Sequence, residues 1–236
     1  MKQDVVVVGY PKSGNTWATR LVAEVLGAPS VGFFGAPKQK EVASEGADRE
    51  SPYQVFKSHH PIQRIRSISK DAKIVGIVRD PRDVTVSGAH YFSLSKYIEA
   101  CGAEPGLDKF EAMARTICDG GVYSHCTRSW PVAVADILDN DILMLRYEDL
   151  LSSPADELRK TLDYLGASRS QEAIDEAIEN QSFAVAKKRH SGGKGETNRK
   201  LMRSGKAGSY TDSLSADQIS RIEKACDAMM KKLNYA

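Results

Sequence analysis

Val5-Val6-Val7-Val8-Gly9-Tyr10-Pro11-Lys12-Ser13-Gly14-Asn15-Thr16-Trp17 decides the fold class. Four consecutive β-branched residues read as a strand buried on both faces, since a strand with one wet face would alternate apolar with polar. A glycine-bounded turn follows, and a helical pattern over 16–26 begins directly after it. Such a junction collects anions: backbone N–H groups of the turn and of the first helical turn converge on one point, and the helix dipole adds positive potential there.

The pattern repeats outward from this stretch. Tyr53-Gln54-Val55-Phe56, Ile74-Val75-Gly76-Ile77-Val78 and Ile142-Leu143-Met144-Leu145 are further short apolar runs. Helical spacing covers 83–97, 107–118, 122–137 and 154–165, the last with a Ser152-Ser153 start and a Gly166 stop, and then 171–179 and 215–233. Strands alternating with helices predict an α/β protein, a central parallel sheet flanked by helices. The segment 187–210 sets Lys187, Lys188, Arg189, Lys194, Arg199, Lys200, Arg203 and Lys206 among glycines. It reads either as a solvated loop or as a basic lid over a multiply anionic ligand.

Composition narrows the class. The 236 residues carry 33 Lys plus Arg against 31 Asp plus Glu, a net charge of +2, which excludes a strongly basic scaffold. With 41% hydrophobic and 27% charged residues the chain is neither disordered nor fibrous. No apolar run is long enough for a signal h-region or a spanning helix, so the expectation is a cytoplasmic protein. Cys101, Cys118, Cys126 and Cys226 form no C-x-x-C pair and read as reduced thiols rather than as a disulfide frame or zinc site.

Laid over G-x-x-x-x-G-K-[ST], the turn matches at Gly9, Gly14 and Thr16 but has Asn15 in place of the nucleotidase lysine. The lysine stands at Lys12 instead, within the bend, nearer the bridge between a first phosphate and its substituent. A ligand with one phosphate and one transferable group fits this better than a triphosphate does. A second junction lies at Ile77-Val78-Arg79-Asp80-Pro81-Arg82-Asp83-Val84-Thr85-Val86-Ser87. Arg79 leaves the C-terminal end of a strand, where open α/β sheets bind ligands, and its guanidinium fork matches phosphate oxygens. Alone it could equally pair with Asp80 or Asp83. Two phosphate positions at neighbouring strand ends describe a nucleotide phosphorylated at two separated places.

These motifs together resemble the sulfotransferases that use 3'-phosphoadenosine 5'-phosphosulfate (PAPS). Tyr10 to Trp17 is similar to their 5'-phosphosulfate loop, and Arg79 through Ser87 to their 3'-phosphate motif. Lys57-Ser58-His59-His60-Pro61 resembles their Lys-Thr-His-x-Pro, Tyr147-Glu148-Asp149 their Tyr-Glu-Asp, Gln181-Ser182-Phe183 their Thr-Ser-Phe, and Arg203-Ser204-Gly205-Lys206-Ala207-Gly208-Ser209-Tyr210 their Arg-Lys-Gly-x-x-Gly-Asp-Trp.

The resemblance implies a P-loop-type three-layer sandwich with residues 1–236 as a single domain, PAPS as co-substrate and no metal. It also implies His59 as general base and Lys12 at the bridging and sulfonate oxygens. Ser13, Gly14, Asn15 and Thr16 would hold the 5'-phosphate, and Arg79, Ser87 and Arg203, with Ser204 and Gly205 beside it, the 3'-phosphate. Trp17 and Phe183 would offer faces to adenine, and Tyr147 would also line the cofactor site. The chain departs from the family at Asn15, Ser204 and Ser209-Tyr210, and it lacks the Lys-x-x-x-Thr-Val-x-x-x-Glu dimerisation stretch. Acceptor contacts are expected from 29–52 and 88–106, which include Phe33, Phe34, Tyr91, Phe92 and Tyr97. The expected acceptor is a small molecule, rather than nucleic acid or a membrane. The alternatives are a P-loop kinase using Mg·ATP, and a non-catalytic protein that binds PAP (the desulfonated nucleotide) or a polyanion.

Overall fold

Val5, Val6, Val7 and Val8 are withdrawn from solvent at the centre of strand β1 (Gln3–Gly9) of the computed structural model, which describes residues 2–35, 44–93, 106–123, 126–189 and 205–236. Along the chain follow α1 (Asn15–Val25), β2 (Ser30–Phe33), β3 (Tyr53–Ser58), α2 (Ile62–Ile68), β4 (Lys73–Val78), α3 (Pro81–Phe92), α4 (Lys109–Asp119), α5 (Trp130–Leu138) and β5 (Leu143–Arg146). After these come α6 (Tyr147–Ser152), α7 (Pro154–Leu165), α8 (Gln171–Asn180), α9 (Phe183–Arg189), a 3-10 turn at Ser209–Asp212, and α10 (Ala216–Lys232). The chain divides into two compact units interleaved in sequence. One comprises Met1–Gly9, Gly14–Val78 and Asp136–Ala186, the other Tyr10–Ser13, Arg79–Ala135 and Lys187–Ala236.

The first unit holds a five-stranded, wholly parallel sheet in the order β2-β3-β1-β4-β5. Alternation along the strands sends Val5, Val7, Val55, Val75, Ile77 and Leu145 to one face. There they meet Leu21, Val22 and Val25 of α1, Leu158, Leu162 and Leu165 of α7, and Ile174 of α8. Each such aliphatic side chain contributes about 1.5–3 kcal/mol on full burial. On the other face Ile137 lies so near Gly76 that a Cβ there would come within 2.6 Å of Ile137 Cγ2. Helices thus cover both faces of a parallel sheet, the expected α/β class.

In the second unit α3 opens with Pro81 as its first residue and with the Asp80 carboxylate accepting from Arg82 N at 2.8 Å. Arg82 pairs with Asp80 and Glu223, both at 2.6 Å, and donates to the Tyr235 carbonyl at 2.8 Å, tying α3 to α10 and the C-terminal residues. α10 starts with a capping box of Ser215 and Gln218. Its Arg221 grips Glu111 of α4 at 2.6 and 3.0 Å.

Some expectations need correction. The helix expected over 122–137 begins only at Trp130, because the chain first turns, with Gly121 N–H donating to the Cys126 carbonyl at 2.9 Å and Cys126 N–H to the Tyr123 carbonyl at 2.8 Å. Strand β2 and helices α2, α6 and α9 were not expected. Most of 187–210, and positions 94–105, lie outside the described residues. Among the described residues no helix is long and apolar enough to cross a membrane, and Cys118, Cys126 and Cys226 are free thiols.

Hydrogen bonds from Arg221, and behind it Arg115, hold the Glu111 carboxyl down to about 2 from an ordinary 4.5. A carboxyl depressed on folding stabilises the protein above its unfolded pKa and loses that contribution as pH falls through the folded value. The gap in thermal midpoint between wild type and Glu111→Gln should therefore shrink as pH drops from about 4.5 to about 2. A gap that does not change over that window would contradict the pairing.

Candidate functional site

Within the first unit the parallel register Val8↔Ser58 brings the ends of β1 and β3 level. His59, one residue beyond β3, places Nδ1 2.7 Å from the Gly9 carbonyl. A carbonyl only accepts, so Nδ1 carries the proton and Nε2 the lone pair of the neutral ring. Phe33 of β2 stands edge-on to this imidazole, with ring centroids 5.6 Å apart. Lys57, two residues earlier and so on the same side of the extended chain, sets its Nζ 4.1 Å from the centre of the Phe33 ring and donates to Thr16 Oγ1 at 3.4 Å. His60 points the other way and is exposed. Lys57 was not singled out as a site residue; its i, i+2 spacing from His59 was the available signal.

The N-terminus of α1 belongs to the same unit. No side chain caps it and no acidic residue stands in its first turn, whereas α4 and α10 are both capped by side chains. Gly14 is needed here twice over: its φ is +95°, and a Cβ would come within 2.6 Å of the Tyr147 ring. Asn15 is buried, and Thr16 half-buried. Trp17 donates its indole N–H to the Gln181 carbonyl at 2.9 Å and meets Tyr147 edge-on at 5.6 Å. Phe183 is 38% exposed.

The second unit holds the other set. Lys12 has φ +74°, a left-handed conformation that costs an L residue with a side chain about 1–2 kcal/mol. Its ammonium sits 3.8 Å from the centre of the Tyr91 ring, a cation–π contact. Ser13 is fully buried, and its hydroxyl has no hydrogen-bond partner among the described residues. Tyr10 anchors the turn by donating to the Thr116 carbonyl at 3.4 Å; burial and the neighbouring Cys126 thiol push its phenol well above the ordinary value.

Arg79 is buried and donates to the carbonyls of Lys12 at 3.5 Å and Lys206 at 3.1 Å. Of its two possible acidic partners it takes Asp83, at 3.7 Å, while Asp80 goes to Arg82. Asp83 also accepts from Gly208 N at 2.7 Å and Ser209 Oγ at 3.4 Å, so one buried carboxylate steadies both Arg79 and the segment after Gly205. Ser87 lies one turn before Tyr91 on α3. Arg203 and Ser204 lie outside the described residues.

The structure sorts the acceptor candidates. Phe33 stands at His59 and Tyr91 at Lys12. Phe34 and Phe92 belong to the core instead, packed on Phe56 and Tyr123. Tyr97 lies outside the described residues. Among the described residues no group of three His, Cys, Asp or Glu could hold a metal ion. In the first unit the uncapped α1 and Lys57, and in the second the buried Ser13 hydroxyl and Lys12, are each groups of the kind that meet phosphate or sulfonate oxygens.

The sequence profile of the sulfotransferase domain matches residues 2–234. Sulfotransferase 1A1 of Bos taurus is 27% identical over 205 residues, covering 78% of this chain and 66% of that protein. Sulfotransferase 2A1 of Homo sapiens is 26% identical over 197 residues, covering 78% and 67%. The chain thus spans about two thirds of the length of these relatives. Mouse sulfotransferase SULT7A1 complexed with PAP superposes with a TM-score of 0.75 at 19% identity, over 98% of this chain and 85% of that one. Retinol dehydratase with androsterone and PAP gives 0.71 at 22% identity, over 97% and 80%. Both share the fold.

The two left-handed positions of the loop predict opposite signs. Lys12→Gly should stabilise the protein by up to about 1 kcal/mol, since relief of strain exceeds the extra entropy of glycine in the unfolded chain, while Gly14→Ala should destabilise it by about 1–3 kcal/mol. Urea unfolding midpoints read both, and a destabilised Lys12→Gly would show that the bend stores no strain.

Proposed function

The chain belongs to the sulfotransferase domain family, and on that premise we propose that it moves the sulfonate group of PAPS in line onto a hydroxyl or amine of a small-molecule acceptor, releasing PAP. The observation that carries this reading is the 2.7 Å bond from His59 Nδ1–H to the Gly9 carbonyl, which selects the tautomer whose Nε2 can take a proton. When bound, PAPS supplies a sulfonate already activated on a phosphate leaving group.

His59 Nε2 removes the acceptor proton as the new bond to sulfur forms and the sulfur–oxygen bond to phosphate breaks. Base catalysis of this kind is worth about 10²- to 10⁴-fold. Lys12 balances the charge that grows on the departing oxygen, so its effect falls in the transition state. Lys57, held by Thr16 and Phe33, adds a second cation on the His59 side. The N-terminal turn of α1, with Ser13, Asn15 and Thr16, takes the 5'-phosphate. Arg79, Ser87, Arg203, Ser204 and Gly205 take the 3'-phosphate, and Trp17, Tyr147 and Phe183 the adenine. With the charge met by lysines and helix dipole, the step requires no metal.

The mouse relative complexed with PAP, and retinol dehydratase complexed with androsterone and PAP, support a PAP-type nucleotide and a small-molecule acceptor. The free thiols support a reducing, cytoplasmic setting.

His59→Ala should lower kcat by about 10²- to 10⁴-fold while leaving PAP affinity nearly unchanged, as read by transfer from labelled PAPS and by calorimetry. Equal turnover by mutant and wild type would remove His59 as the base.

A further inference from the structure

Asp83 lies in the first turn of α3, and its side chain is wholly withdrawn from solvent. An acid in that turn favours a helix through the dipole, which by itself would be reason enough for its presence. Its oxygens are nevertheless turned to partners 125 and 126 residues further along the chain. Oδ2 accepts from Gly208 N at 2.7 Å and faces Arg79 Nη2 at 3.7 Å, and Oδ1 accepts from Ser209 Oγ at 3.4 Å. The cap of the helix is left to Asp80.

The same short segment is gripped on either side of these bonds. Arg79 Nη2 donates to the Lys206 carbonyl at 3.1 Å, and the Arg82 guanidinium lies 4.4 Å from the centre of the Tyr210 ring. Arg79, Asp83 and Arg82 thus seat Lys206, Gly208, Ser209 and Tyr210 along the start of α3, and the bond from Gly208 to the carboxylate is the shortest of these contacts. Electrostatics alone argues against a carboxylate here. In the reading above Arg79 takes the 3'-phosphate, and a buried negative charge beside its guanidinium repels that phosphate and competes for the same donor. The carboxylate instead fixes direction: the guanidinium fork recognises a phosphate only when its N–H groups are aimed, and a side chain held in place beforehand loses less freedom on binding.

We propose that Asp83 sets selectivity for the 3'-phosphate. By holding Arg79 and the segment 206–209 in one arrangement it aims the guanidinium, and so separates an adenosine 3',5'-bisphosphate from a 5'-monophosphate. It touches no substrate and acts through Arg79, as a positioning residue. This rests on the PAPS reading above and adds to it the residue that makes the second phosphate count.

The test compares PAP with AMP, which has no 3'-phosphate, by calorimetry on wild type and Asp83→Asn. The variant keeps the size of the side chain and an oxygen for Gly208 N–H, and removes the charge that draws Arg79. Loss of the charge alone would tighten PAP, whereas loss of the position weakens it. PAP should bind about tenfold or more weaker with AMP unchanged, the worth of one misaimed charge-assisted hydrogen bond. In transfer assays the loss should fall on KM for PAPS rather than on kcat. Tighter PAP binding, an unchanged ratio of PAP to AMP affinity, or an equal loss for both nucleotides would overturn the proposal. Should Asp83→Asn fail to fold, Ser209→Ala, which removes one bond to the carboxylate, decides in its place: PAP weakened by about threefold relative to AMP supports the positioning, and an unchanged ratio overturns it. A wild-type protein that binds PAP no better than AMP would overturn the PAPS reading itself, and this proposal with it.

Discussion

β1 is hydrogen-bonded on both sides, to β3 and to β4, and buried on both faces, and this double constraint sets where everything else leaves the sheet. A strand so enclosed cannot slip by one residue without turning Val5 and Val7 away from α1. With the register fixed, β1 ends at Gly9, β3 at Ser58 just before His59, and β4 at Val78 just before Arg79. The chemistry-bearing residues are thus the first ones past the strands' C-terminal ends, where a parallel sheet has its open backbone groups and its helices begin. The His59–Gly9 bond is the direct expression of that register, one main-chain carbonyl selecting a tautomer.

The charge arrangement follows a second rule: the loop proposed to hold the 5'-phosphate gives up local stability. Helix α1 goes uncapped, Ser13 buries a hydroxyl without a partner among the described residues, and Lys12 accepts a left-handed backbone. Each lowers stability by itself, and all three fall within one short loop. The opposite economy holds at Arg82, where burial is more than offset by Asp80 and Glu223 and the guanidinium is locked as a strut between helices. Arg79, only three residues earlier, is held more loosely, by two carbonyls and a carboxylate at 3.7 Å.

Much of this was legible in the residues. Strands β1, β3, β4 and β5 announce themselves by apolar runs too short for helices, and the loop from Gly9 to Thr16 by glycines at fixed spacing before an amphipathic stretch. Strand β2 was invisible because Ser30-Val31-Gly32-Phe33 is short and broken by glycine, and it forms through pairing with β3 and a bridge from Ser30 to Glu45. Helices α2 and α6 are scarcely two turns long, below the length at which periodicity speaks. The residue types of the site were readable from motif order, but the partner of each was not. That Lys12 lies on Tyr91, that Asp83 rather than Asp80 meets Arg79, and that Gly208 lies against Asp83 depend on packing between distant segments.

The central claim is that the displaced lysine and the second phosphate motif recognise an adenosine bisphosphate and not a triphosphate. A thermal-shift comparison of PAP, PAPS and Mg·ATP at equal concentration tests it most directly, since a ligand that binds only the folded state stabilises by about 2.7 kcal/mol at a hundred times its Kd. A clear rise in midpoint with PAP and PAPS and little with Mg·ATP is the predicted result. A rise with Mg·ATP and none with PAP would contradict the account and make the protein a phosphotransferase on a shared scaffold.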